Sequence, residues 1–226
     1  MLAAEEAGKN SVFLAVEGGR LISDEIGKLD ELYSDGVRFL TLVWDKTCKI
    51  GGAHDTDEGL TDFGREVVKR CFELGIIPDI SHASDRMIDE VIEMSEKAGK
   101  VCIATHSNSR AVCDHRRNLT DDRFKAIVSL GGIVGISLAP MHLTESWRES
   151  CTIDDVVDHI EHYISIGGEN AVCLGCDFDG VASLPEGISD VSDLYRIADR
   201  MKERGLGDLV DRLFFSNARE FISRNM

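Results

Sequence analysis

The chain has 226 residues, 41 acidic against 25 basic side chains, a net charge of −16 and 43% hydrophobic residues. That apolar share suits a folded globular chain and excludes a fibre or a disordered tail. The excess acid disfavours nucleic-acid partners, and no apolar run reaches the ~20 residues of a membrane span. In chain order, six short apolar runs stand out: SVFLAVE (11–17), VRFLTLVW (37–44), IIPDISH (76–82), VCIATH (101–106), GIVGISL (132–138) and AVCLGCD (171–177). Continuous apolar runs of this length predict parallel strands covered on both faces.

Helical patterns lie between the runs. Ile22, Ile26, Leu29 and Tyr33 repeat at helical spacing before Gly36. Phe63, Val67, Cys71 and Leu74 do the same over 61–74. Met87, Ile88, Val91, Ile92 and Ser95 mark a helix over 85–98, with Ser84 as its N-cap and Gly99 as its stop. Thr120 and Thr152 read as N-caps of two further helices, the second with Asp155 three residues on. The last helices are predicted at roughly 190–203 and 207–224. Strands alternating with helices predict βαβ units and a parallel sheet, either doubly wound or closed as a (β/α)8 barrel.

The run ends favour the barrel. Five runs end on Glu17, Trp44, His82, His106 and Asp177. In a barrel the C-terminal ends of all strands converge on one face, where catalysis sits; an open sheet draws ligands mainly from its switch point. No G-x-G-x-x-G or Walker loop follows any run. Glu17, His82 and His106 offer one oxygen and two nitrogens, a set used by catalytic zinc, and Asp177 adds a fourth strand-end group able to bridge two metals.

Other candidates give weaker signals. His159 and His162 form H-x-x-H on the predicted helix TIDDVVDHIEHYIS, where neighbouring acids point to a helix surface or a capping contact. His54 lies in GGAHDTDEG, which reads as an active-site loop with a turn. His115, Arg116 and Arg117 make a basic spot that is either a surface ion pair or an anion clamp, since guanidinium matches a carboxylate in bidentate geometry. Cys173 and Cys176 form C-x-x-C on a strand-like stretch that sends them to opposite faces, so the seven cysteines read as reduced thiols. With no basic or apolar leader in MLAAEEAGKN, a cytoplasmic protein is expected.

VEGG (16–19), DISHAS (79–84), ATHSNSRAVCDHRRNLTDD (104–122) and LGCDFDGV (174–181), followed by PEGISDVSDL, resemble the membrane dipeptidase (renal dipeptidase, peptidase M19) family in order over nearly the whole chain. The resemblance implies a (β/α)8 TIM-barrel-type metallo-hydrolase with two zinc ions that cleaves dipeptides, including those with a C-terminal D-residue. It implies that Glu17 is the bridging carboxylate, and that His82 and His106 are the imidazole ligands of the second zinc. It implies that Asp177 handles the proton of the attacking water and that Arg117 binds the terminal carboxylate of the substrate.

Two departures stand out. The family carries a His-x-Asp motif on its first strand, ahead of VEGG, and none of the seven histidines here is followed by x-Asp. The expectation is therefore a single barrel domain over 1–226, truncated at its N-terminus, with about six of eight βα units and a first zinc site that is incomplete. Open edges of such a barrel are expected to drive homo-oligomerisation. Trp44 stands where many members have a histidine that assists the oxyanion; its indole N–H is still a donor. The expected function is zinc-dependent dipeptide hydrolysis. The alternatives are an inactive remnant that binds a peptide-like ligand or a partner chain, and a related metal-dependent amidohydrolase.

Overall fold

Helix caps written in the sequence set most of the frame. The structure, a computed structural model, describes residue 4 and residues 6–226. The chain divides into two compact units, residues 1–100 with 222–226, and residues 101–221.

The first unit holds three parallel strands in the order β1–β2–β3: Leu14–Glu17, Val37–Thr41 and Ile77–Asp79. Helix α1 (Lys28–Ser34) lies between β1 and β2, α2 (Asp62–Leu74) precedes β3, and α3 (Asp85–Ala98) follows it. Thr61 caps α2 by accepting from the Gly64 N–H at 2.9 Å, and Ser84 caps α3 by accepting from the Met87 N–H at 3.1 Å. Gly75 and Gly99 close these helices in the left-handed region, which lacks steric cost only for glycine. The apolar stripes of both helices are buried: Val67, Val68 and Cys71 on one, Met87, Ile88 and Val91 on the other. The predicted helix from Ile22 is shorter than its stripe; Gly19–Ile22 is a 3-10 turn and the α-helix begins at Lys28.

The second unit contains α4 (Asp121–Ser129), β4 (Val134–Ile136), α5 (Pro140–Leu143), α6 (Ile153–Ser165), β5 (Val172–Leu174), α7 (Tyr195–Glu203) and α8 (Asn217–Asn225), the last of which runs on into residues 222–226. Strands β4 and β5 are parallel neighbours. The run VCIATH is not a full strand; it contributes isolated bridge residues, among them Ala104, which pairs in parallel with Val134. Gly135 and Gly175 show why the backbones here can pack so tightly. A Cβ on either would sit 1.9 Å from the Thr105 carbonyl oxygen, so only glycine fits. The predicted cap at Thr152 is present, with the Asp155 carboxylate accepting from the Thr152 N–H at 2.7 Å. Phe124 of α4 stacks on Tyr163 of α6, centroids 4.0 Å apart and planes 7° from parallel, both fully buried. The predicted last helix is broken up: a 3-10 turn at Gly207–Leu209 and a π-helical turn at Arg212–Ser216 precede α8.

Among the described residues, the five strands are parallel to their neighbours and alternate with helices. This is the α/β class expected from the run pattern. All seven cysteines are free, and burial pushes the thiol of the buried Cys173 up to about 12 and that of the half-buried Cys176 to about 11, which disfavours the reactive thiolate.

Candidate functional site

The run-end residues do not all end strands. Glu17 is the last residue of β1, but Trp44, His82 and Asp177 each lie three residues beyond the last residue of β2, β3 and β5. His106 lies two residues beyond the Ala104 bridge. The chain leaves the regular ladder before it reaches the polar residue, yet isolated bonds continue to guide it. Gly18 N–H donates to the Thr41 carbonyl at 3.0 Å and Leu42 N–H to the Asp79 carbonyl at 3.2 Å; in the second unit, Ser107 N–H donates to Gly135 at 2.8 Å. The polar groups are thus displaced from the apolar strands without losing their direction.

In the first unit the structure brings Glu17 and His82 together, with Oε1 of Glu17 3.0 Å from Nε2 of His82. The Glu17 side chain is 39% exposed and that of His82 11%. His82 has φ 71°, a left-handed conformation rare outside glycine and asparagine. Its surroundings over-determine that turn. His54 N–H donates to the His82 carbonyl at 2.8 Å, Ser84 N–H donates to Gly52 at 3.0 Å, and Ala53 bridges to Ala83. The GGAHDTDEG loop therefore holds the His82 turn in place. Beneath it lies Asp79, fully buried, which accepts from the Thr41 hydroxyl at 2.6 Å and from the Ser81 N–H at 3.0 Å. Sequence reasoning passed over Asp79; its signal is an acid inside an apolar run. The Trp44 ring, 55% exposed, lies 6.4 Å from the His82 ring at a 44° tilt.

In the second unit, His106 is buried, and its Nδ1 is 2.8 Å from the Thr105 hydroxyl. Asp177 and Asp179, the two acids of D-F-D-G, are both left-handed, with φ 58° and 67°. Gly180 N–H donates to the Asp177 carbonyl at 3.1 Å, closing the turn. Two candidate site residues, His82 and Asp177, are thus among the four non-glycine residues with positive φ in the described part of the chain. Such strain gathers at functional positions.

Arg117 is not a surface residue; it is 6% exposed. Its N–H donates to His115 Nδ1 at 3.2 Å, and the His115 ring packs 4.7 Å from that of His142. Burial, with Arg117 and Arg110 nearby, lowers the His115 pKa. The segment that carries Arg117 is tied down by buried amides. Asn118 Nδ2 donates to the carbonyls of His142 at 2.8 Å and Cys113 at 2.9 Å. Asn108 receives from Ser137 N–H at 2.9 Å and donates to its carbonyl at 3.1 Å. The sequence signal for these was weak: single asparagines inside a polar stretch.

The H-x-x-H pair divides. His162 Nε2 is 2.8 Å from the Asp121 carboxylate in the first turn of α4, a side-chain contact between two helices rather than a cap. His159 is not on a helix surface but fully buried. It sits on the apolar side of α6 with the buried Val156, Ile160 and Tyr163.

Parallel strands alternating with helices, a carboxylate at a strand end paired with an imidazole just past another, and further polar groups on the loops define an α/β protein with the side-chain set of a metal-dependent hydrolase. The sequence profile of the membrane dipeptidase family (peptidase family M19) matches residues 1–221, and the chain belongs to that family. An uncharacterized protein from the pqqA 5′ region of Klebsiella pneumoniae is 33% identical over 213 residues, covering 89% of this chain and 77% of that protein. A metallopeptidase from Rhodobacter sphaeroides, crystallised with a phosphinate mimic of the dipeptide L-Ala-D-Ala, superposes with a TM-score of 0.91 at 33% identity. That match covers all of this chain, which spans 66% of the crystallised one. The dipeptidase AC, a metallopeptidase of family M19, also gives a TM-score of 0.91 at 33% identity, covering 99% of this chain and 68% of its own. No helix among the described residues is long and apolar enough to cross a membrane.

Proposed function

We propose that the chain provides the catalytic part of a zinc-dependent dipeptidase, and that Glu17, His82 and His106 hold the ion. The observation that carries this reading is the 3.0 Å approach of Glu17 Oε1 to His82 Nε2. Two ligand atoms that each bond zinc at about 2.0–2.2 Å lie roughly 3–3.5 Å apart, so the pair fits one ion. His106 adds a second nitrogen, completing a donor set of one carboxylate oxygen and two imidazoles. With no His-x-Asp among these 226 residues, a second ion would need ligands from another chain or from residues outside that motif.

A bound divalent ion supplies Lewis acidity toward the scissile carbonyl and toward water. Asp177 takes the proton of the attacking water and delivers it to the leaving amine as the C–N bond breaks. Arg117 pairs with the free carboxylate of the substrate, which sets the distance to the scissile bond and favours dipeptides. Trp44 offers its indole N–H where negative charge develops on the carbonyl oxygen. The family resemblance supports a C-terminal D-residue as an accepted substrate, and it supports reading the parallel strands as part of a (β/α)8 barrel.

The test measures zinc per chain after incubation in zinc and desalting, then hydrolysis of L-Ala-D-Ala. About one zinc per chain is expected, lost in His82→Ala and in His106→Ala. Asp177→Asn should retain zinc and lose turnover by roughly 10²–10⁴-fold, the usual worth of a positioned acid–base group. Turnover that survives Asp177→Asn, or a chain that retains no zinc, overturns this reading. Zinc and dipeptide binding without turnover would favour the inactive remnant, a reading supported by the missing His-x-Asp motif.

A further inference from the structure

Helix α6 reaches into the segment that follows His106 with two side chains spaced four residues apart, and therefore on one face. His159 Nδ1 accepts the Ser109 N–H at 3.0 Å. Tyr163 Oη donates to the Ser107 carbonyl at 3.2 Å. The other ring nitrogen of His159, Nε2, lies 2.9 Å from the Leu143 carbonyl, to which it donates. A backbone N–H on one side and a carbonyl on the other specify the neutral ring with its proton on Nε2. The ring is fully buried, and burial drives its pKa down to about 4. A protonated ring would put a second N–H against the Ser109 N–H, so the neutral form is the only one that keeps both bonds.

These contacts link three parts of the second unit. Ser109 opens the loop that returns to Leu119, where the two residues pair in a parallel bridge. Arg117 lies within that loop, two residues before the bridge. Leu143 ends α5, next to His142, whose carbonyl accepts from Asn118. His159 thus ties one end of the Arg117 loop to α6, while Asn118 ties the other end to the same α5 segment.

We propose that His159 is a positioning residue for Arg117: through Ser109 it fixes the 107–119 loop on α6, and so sets the guanidinium for the carboxylate of the substrate. This rests on the assignment of Arg117 as the carboxylate-binding residue. His159 touches no reacting atom; its effect is on substrate affinity, with the chemical step left intact.

The experiment compares His159→Asn with His159→Gln in the zinc-loaded protein. An asparagine oxygen sits near the Nδ1 position and can still accept from Ser109, whereas glutamine keeps a donor near Nε2 for Leu143 but loses the Ser109 acceptor. Kinetics are measured with L-Ala-D-Ala and with its C-terminal amide, and unfolding is followed for both variants. His159→Gln should raise KM for L-Ala-D-Ala about tenfold with kcat within threefold, and leave the amide unchanged. His159→Asn should keep KM within threefold despite a similar loss of thermal stability. Equal behaviour of the two variants, or a fall in kcat without a change in KM, overturns the proposal and leaves His159 a purely structural residue. Arg117→Ala separates the two levels. If it leaves KM for L-Ala-D-Ala unchanged, the carboxylate assignment itself fails; if it raises KM while His159→Gln does not, only the positioning role fails. Should neither His159 variant fold, nitrogen NMR of the wild-type ring at pH 7 decides: a proton on Nε2 and an accepting Nδ1 are required, and a charged ring or the opposite tautomer overturns the proposal.

Discussion

Residues 1–100 carry Glu17 at the end of a three-stranded ladder with Trp44 and His82 three residues past it, whereas residues 101–221 carry His106 and Arg117 on the segment after the Ala104 bridge and Asp177 on the loop beyond β5. The positional devices differ accordingly. In the first unit backbone pairing orients Glu17, and a turn pinned by main-chain bonds to residues 52–54 orients His82. In the second unit, buried side chains do most of the holding: Asn108, Asn118, His159 and Tyr163 satisfy main-chain groups that no strand pairs. A ladder tolerates changes of side chain, because the bonds belong to the backbone. A side-chain network does not, because each member removed leaves a buried polar group without its partner.

The largest expected effect tests the first device. His82→Asn preserves a residue that accepts the left-handed turn but withdraws the ligand nitrogen. Thermal stability should change little, while zinc retention is lost and hydrolysis falls beyond the roughly 100-fold seen for outer-shell changes. A variant that unfolds would instead show that the imidazole, not the backbone, holds the turn.

The second device should show itself in acid. The folded pKa of His159, about 4, lies below the ordinary value near 6.5. Above pH 6.5 the ring is neutral in both states and its contribution is complete. As pH falls from about 6.5 toward 4, the unfolded chain takes up the proton first, so stability is lost across that window, by up to roughly 3 kcal/mol. Denaturant titrations of wild type and His159→Gln should converge as pH drops through this range. Curves that stay parallel would remove His159 from the network.

A smaller effect is expected at the D-F-D-G turn. A Cβ on Gly180 would lie 2.2 Å from an Asp177 carboxylate oxygen, so Gly180→Ala must turn that carboxylate away. With a displaced acid–base group, kcat should fall by up to about 100-fold at unchanged zinc content and KM. An unchanged kcat would mean that the Asp177 rotamer seen here is not the working one.

The smallest effect is a cap. Thr61→Ala removes the acceptor for the Gly64 N–H and should cost about 1 kcal/mol in chemical denaturation, with no change in zinc or turnover. A loss of zinc on this change would show that the ladder of the first unit is less independent of its helices than its backbone bonds imply.

Local signals were read correctly where the physics is local. The stripe from Met87 to Ser95, with Ser84 before it and Gly99 after it, returns as α3 with the same bounds, because capping and helical periodicity involve residues within one or two turns. The pairing of Thr152 with Asp155 is of the same kind. The strands were located but overextended: the apolar run VRFLTLVW continues to Trp44, while pairing stops at Thr41. Apolar residues past the last residue of a strand stay buried, as Leu42 and Val43 do, so hydropathy cannot mark where the regular ladder stops.

The sequence by itself determined the alternation of strand and helix, the family, and the identity of the candidate ligands, because each rests on residue type and order. Tertiary structure alone decided that His159 is a buried acceptor rather than a surface residue, that Arg117 is enclosed, and that Asp79 lies under the His82 turn. Those outcomes depend on which side chain meets which main-chain group across tens of residues, Ser109 to His159 among them. A one-dimensional pattern shows that a polar residue exists; only the fold shows which unpaired backbone atom needs it.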